Sequence, residues 1–181
     1  MTTADTPMTH ATDAGALTRE MTDYLREHPE EQGALLTLYD ALCDHARRGR
    51  CPHGGRCPEI LSGALLLDER GRVLLLRHGD RWAFPEGAPQ PGDLGLRDTA
   101  YALLREFGGV REAWVPGQAA GPVMIDVTRG RPDRVGFRYL FVTHSSVVPS
   151  VVLAHGLARW AGLGEVDERI AARLRPFVAA P

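Results

Sequence analysis

The sequence predicts an α/β fold, with helices on both faces of a central mixed sheet and a helical extension in front of it, and three observations predict it. The first is the stretch from Trp82 to Val110, WAFPEGAPQPGDLGLRDTAYALLREFGGV, which reads as strand end, Gly/Pro-rich loop and helix. The second is a pair of apolar runs, one from Leu61 to Asp68 and one from Arg72 to His78, joined by Glu69-Arg70-Gly71. Both are apolar nearly throughout, as in strands covered on both faces. The third is RVGFRYLFVTH, Arg134 to His144, where Phe137, Tyr139, Phe141 and Thr143 alternate with Arg138, Leu140 and Val142.

Composition bounds the rest. A chain of 181 residues with 44% hydrophobic content suits one core plus an extension. A net charge of −2, with no basic block beyond Arg47-Arg48 and Arg50, argues against a nucleic-acid polymer as partner. No window reaches membrane-spanning length, and MTTADTPMTHATDAG lacks a basic region followed by an apolar one, so no membrane association and a cytoplasmic setting are expected.

Taken in order, residues 1–16 read as a leader without periodicity. Leu17, Met21, Tyr24 and Leu25 then recur at helical spacing until Pro29 breaks the run. A second helix, from about Glu30 to Arg48, is expected to bury Leu35, Leu36, Leu38, Tyr39 and Leu42. The helical pair packs on the main domain, or serves as a lid or the arm of a homodimer. Residues 17–57 form this extension, which ends in a loop rich in Cys and His, and residues 58–181 form the main domain. Cys51, His53 and Cys57, with Cys43 or His45 as fourth ligand, carry the donor types that zinc selects, although the spacing fits no standard finger and a plain loop is the alternative.

The two apolar runs read as a β-hairpin, with Arg77, His78 and Arg81 at its mouth. Pro85, Gly87, Pro89, Pro91 and Gly92 keep the next segment irregular. Asp93 stands where an N-cap would accept backbone N–H bonds, and the helix runs from about Leu94 to Phe107. Its buried stripe is Leu96, Ala100, Leu103, Leu104 and Phe107, and Gly108-Gly109 ends it. Further strands are expected at Glu112 to Val115, Pro122 to Val127 and Val147 to Val152. A closing helix from Glu165 to Leu174 turns Val166, Ile170 and Leu174 to one side.

The loop and helix from Gly87 onward resemble the Nudix box, G-x5-E-x7-R-E-U-x-E-E-x-G-U with U a bulky aliphatic residue. The hairpin before it, with its Asp68-Glu-Arg-Gly71-Arg-Val-Leu-Leu75 turn, and Trp160-Ala161 before the last helix resemble the same family. YLREHPEEQGALLTLYDAL and FRYLF resemble segments of an actinobacterial group within it, whose site histidines are replaced here around Glu86-Gly87-Ala88 and Val135-Gly136. The resemblance implies a Nudix-type α/β/α sandwich and, for the family, glutamates that hold Mg²⁺ against a diphosphate. Gly87 and Asp93 match the opening glycine and acid. With one extra residue in the helix, Ala102-Leu103 fall at Arg-Glu and Glu106-Phe107 at Glu-Glu; without it, Ala102 falls at the first glutamate and Arg105-Glu106 at the pair. Either way Glu106 is the one helix glutamate retained, a poor cage for Mg²⁺.

From this resemblance the expected function is a repurposed Nudix-fold protein that binds or transforms a small phosphorylated or nucleotide-like molecule, with metal-dependent hydrolysis lost or reduced. An active Mg²⁺-dependent pyrophosphohydrolase and a non-catalytic interaction or sensor domain are the alternatives. Candidate catalytic groups are Glu86, Asp93 and Glu106, with Glu106 also the candidate Mg²⁺ ligand. Candidate ligand-binding groups are Arg77, Arg81 and Arg138 for an anion and Trp82 for a ring.

Overall fold

The computed structural model describes residues 13–48, 57–130 and 132–178. The expected leader and the loop residues Cys51 and His53 fall wholly or largely outside them. Helix α1, Ala14–Glu27, starts inside the expected leader because the Asp13 side chain caps it, accepting the Gly15 N–H at 2.9 Å. Pro29 ends the run as expected, and after a single 3-10 turn α2 spans Gln32–Arg48. Of its expected core face, Leu35, Leu38 and Leu42 are buried while Leu36 is 47% exposed.

Seven strands follow: β1 (Glu59–Leu67), β2 (Val73–His78), β3 (Arg81–Ala83), β4 (Glu86–Gly87), β5 (Met124–Thr128), β6 (Arg134–Val142) and β7 (Ala158–Ala161). Strand β1 runs parallel to β6 from Glu59↔Arg134 to Leu67↔Val142, and β5 continues the sheet antiparallel to β6. The expected hairpin of β1 and β2 is paired only at its base, Leu67↔Val73. Above that point β1 takes β4 as its neighbour, while β2 takes β3 and β7. The sheet therefore divides into a β7-β2-β3 half and a β4-β1-β6-β5 half.

The helices cover both faces. On one, Leu17, Met21, Tyr24, Leu35, Leu38 and Leu42 of the extension share a core with Leu96, Ala100 and Leu104 of the box helix α3 (Leu96–Gly108) and with Ile60, Leu66, Phe137, Tyr139 and Phe141 of the sheet. Each buried Leu contributes about 2 kcal/mol by leaving water. On the other, Ile170 and Leu174 of α5 (Glu168–Leu174) pack on Leu65, Leu67, Val73, Leu75 and Leu140. The result is an α/β/α sandwich around a mixed sheet, with the extension built into its core. Among the described residues no helix is long and apolar enough to cross a membrane.

Three further elements differ from expectation. Residues 112–115 contribute one bridge, Trp114↔Val142, rather than a strand. Residues 147–152 do not extend either: Ser145–Val147 is a 3-10 turn and Ser150–Ala154 is the short helix α4, because Val148 drops into the core and Pro149 starts the helix. The closing helix begins at Glu168, not Glu165, since the Asp167 carboxylate caps it on the Arg169 N–H at 2.9 Å.

The turn between α1 and α2 crosses the β5 edge and grips α5. Arg173 Nη2 donates to Glu31 Oε1 at 2.5 Å and to Glu30 Oε1 at 3.1 Å, and Arg169 Nη2 donates to Glu31 Oε2 at 2.8 Å and to the Ile125 carbonyl at 3.0 Å. Tyr24 Oη adds a third donor to Glu31, at 2.6 Å. Burial alone would raise the Glu31 pKa, but the hydrogen bonds from Tyr24, Arg173 and Arg169 outweigh it and hold the group below 4.5. A depressed carboxylate stabilises the fold above its unfolded pKa and loses that contribution as pH falls through the folded value. With only 12% of its side chain exposed, Glu31→Ala is expected to cost about 2 kcal/mol in urea unfolding at pH 7, a loss that shrinks below about pH 4.5.

Candidate functional site

Strands place the site through their register. Directly opposed residues of a strand pair point to one face, and alternate residues along a strand do too. Arg77 opposes Trp82 and Leu75 opposes Arg159, so Arg77, Trp82 and Arg159 stand on the α5 side of the sheet, beyond the part that α5 covers. On the other half Glu86 opposes Gly63, and Gly63 opposes Arg138. These two groups sit on either side of the division.

Arg138 is not a free anion holder. Its Nη2 lies 2.9 Å from Glu86 Oε2 and its Nε donates to Asp126 Oδ2 at 2.8 Å, so two carboxylates neutralise it. The triad is half-buried, with side-chain exposures of 16% for Arg138, 29% for Glu86 and 24% for Asp126. It lies over two strand glycines. A Cβ on Gly136 would meet Asp126 Oδ1 at 2.5 Å and Glu86 Oε2 at 3.4 Å, and one on Gly63 would meet the Arg138 side chain at 3.4 Å. Glycine is required at Gly136 by this approach rather than by a turn. Glu86 Oε1 and Asp126 Oδ1 accept no hydrogen bond within the described residues.

Trp82 is 38% exposed and already carries the Arg159 guanidinium at 5.2 Å from its ring centroid. Arg159 is held there by Glu165 at 2.6 Å. Arg77, His78 and Arg81 are exposed at the β2–β3 tip, with Arg81 and His78 turned to the face opposite Arg77; Arg77 Nε donates to the Gly79 carbonyl at 3.1 Å, and among the described residues neither arginine makes an ion pair.

The remaining sequence candidates are dispersed. Asp93 is no N-cap: that place is taken by Gly95, and the Asp93 carboxylate instead pins the loop to α3, accepting the Gln90 N–H at 2.8 Å and the Thr99 hydroxyl at 2.6 Å. Glu106 is exposed on α3 and makes neither a hydrogen bond nor an ion pair among the described residues. Phe107, expected in the buried stripe, is 55% exposed in the last turn of α3, two residues before the Gly109 cap. Gly109 ends α3 in the left-handed region at φ 65°, and Val110 is buried behind it. Of the expected zinc ligands, Cys51 and His53 lie outside the described residues, Cys43 is a free thiol and Cys57 is disulfide-bonded with its Sγ 3.4 Å from His45 Nδ1. A disulfide sulfur has no thiolate to offer zinc. Among the described residues no three His, Cys, Asp or Glu side chains converge as a metal group.

Sequence reasoning missed Asp126, Gly63, Gly136 and Arg159. The signal for the first three was a lone acid and lone glycines inside apolar strands, which usually mark a close approach.

Neither a family model nor a curated protein matches the sequence. Solved structures do. The Ap4A hydrolase of C. elegans superposes with a TM-score of 0.50 at 15% identity, over 66% of this chain and 96% of that one. A NUDIX-family hydrolase from Clostridium perfringens gives 0.50 at 12% identity, over 66% and 97%. This chain has the Nudix fold. NrtR of Shewanella oneidensis, solved with a 27mer DNA, matches at 16% identity with a TM-score of 0.47, and this Nudix-fold chain spans only 61% of it.

Gly136→Ala, which drives a methyl group into Asp126, is expected to destabilise the Nudix fold by about 1–3 kcal/mol in thermal unfolding. Gly33→Ala on α2, with nothing within 4 Å of the new Cβ, serves as control and is expected to be neutral or stabilising by up to about 1 kcal/mol.

Proposed function

We propose that this Nudix-fold protein binds a small phosphorylated or nucleotide-like molecule on its divided sheet face, and that metal-dependent hydrolysis is lost or strongly reduced. The observation that carries this is the packing of the box helix on the box loop. Leu103 lies so close to Gly87 that a Cβ there would meet Leu103 Cδ2 at 3.1 Å. The left-handed cap at Gly109, with Leu104 and Val110 buried, favours the alignment that admits one extra residue. In that alignment Leu103 and Phe107 stand at glutamate positions of the family pattern, leaving Glu106. An aliphatic side chain against the loop glycine and one solvated glutamate do not fit a Mg²⁺ site, which needs several oxygen ligands in near-octahedral order.

The likeness to an Ap4A hydrolase supports a nucleotide-like ligand by fold analogy alone. Glu86 and Asp126, held by Arg138, are the groups best placed to accept donors from such a ligand. Trp82 with Arg159 offers a flat edge on the other half of the same sheet face.

Anion-exchange separation of the nucleotide products formed from Ap4A, nucleoside diphosphate sugars and nucleoside triphosphates tests the hydrolytic half. Wild type is expected to give the same background with Mg²⁺ as with EDTA, and Glu106→Gln to match it. Mg²⁺-dependent turnover that falls at least a hundredfold in Glu106→Gln would instead establish an active pyrophosphohydrolase.

A further inference from the structure

Building on the ligand site above, we propose that the divided sheet holds its ligand in one orientation, with the donor-rich end of a phosphorylated sugar or nucleoside on Glu86 and Asp126 and its phosphate on Arg77. Charge decides which end goes where. Two carboxylates and one guanidinium leave the Glu86–Arg138–Asp126 triad with one net negative charge, and Arg138 has its Nε and one Nη2 contact already spent on the two acids. A phosphate placed there would face two anions across a half-buried, weakly screened surface.

The same triad suits hydroxyl and amine donors. Ionised carboxylates only accept, and Glu86 Oε1 and Asp126 Oδ1 accept nothing within the described residues. Arg138 fixes both groups from behind, so little side-chain freedom is lost when a ligand arrives. Gly63 and Gly136 let the triad lie flat on the sheet and keep Cβ atoms away from it.

The cationic end lies on the other half. Arg159 is taken by Glu165, but Arg77 has no carboxylate partner among the described residues and uses only Nε, on the Gly79 carbonyl. Arg77 opposes Trp82 on the face that the triad shares, so a ligand reaching from Glu86 across the division meets this tip with its anionic end.

Titration calorimetry with ADP-ribose, ADP, ribose 5-phosphate and inorganic pyrophosphate tests the orientation on wild type, Glu86→Gln, Asp126→Asn and Arg77→Ala. Each carboxylate variant keeps its shape and is expected to weaken ADP-ribose about tenfold while leaving pyrophosphate unchanged; the arginine variant is expected to weaken both. Carboxylate dependence shared by ADP-ribose and ribose 5-phosphate assigns the donors to a sugar, and dependence confined to ADP-ribose and ADP assigns them to a nucleoside; either supports the orientation. Wild-type binding that the carboxylate variants leave unchanged, or that they weaken equally for pyrophosphate, overturns the orientation alone. A wild type that binds none of the four overturns the orientation and the ligand-binding function together.

Discussion

Strand β1 is the element against which everything else is registered. It pairs β6 along its whole length, β2 only at Leu67 and β4 at Ser62 and Gly63. An antiparallel partner that stayed beside β1 throughout would close the sheet and leave no site. Because β4 takes that edge instead, Glu86 is delivered opposite Gly63, while β3 carries Trp82 off with β2. The division of the sheet and the placement of the charged residues are thus one constraint, not two.

The extension answers a second need. A sheet five strands across leaves β5 as an edge, and exposed edges invite unwanted pairing. Arg169 of α5 occupies it at the Ile125 carbonyl and ties that point to Glu31 of the α1–α2 turn. Leu17 and Met21 of α1 meanwhile complete the core above Tyr139, whose hydroxyl donates to Glu20. Burial raises the Glu20 pKa against the opposing pull of Tyr139 and Arg97. The helical pair is therefore part of the sandwich rather than an appended arm.

Much of this was legible in the residues. The β6 strand, the Pro29 break, the α3 stripe from Leu96 to Leu104 and the C-terminal helix follow from periodicity and capping chemistry, which are local. What could not be read was non-local. Nothing near Arg138 in sequence announces Glu86, 52 positions earlier, or shows that Asp126 will neutralise it, so Arg138 looked like a spare cation. Asp93 looked like a cap because the loop's true bend, which puts Gly95 at the helix start and Asp93 on Thr99, depends on how the loop returns to the sheet. Val147 to Val152 looked like a strand because its valines favour extension, yet Pro149 and the anchoring of Val148 override that preference.

We propose that apolar packing of Leu103 on Gly87 takes the place of the family's metal cage. Paramagnetic broadening by Mn²⁺ tests it most directly, read from the backbone amide signals of Gly87, Leu103 and Glu106 in the presence of ADP. The account predicts no selective loss of these signals below millimolar Mn²⁺. Selective broadening of all three at micromolar Mn²⁺, abolished in Glu106→Gln, would contradict it.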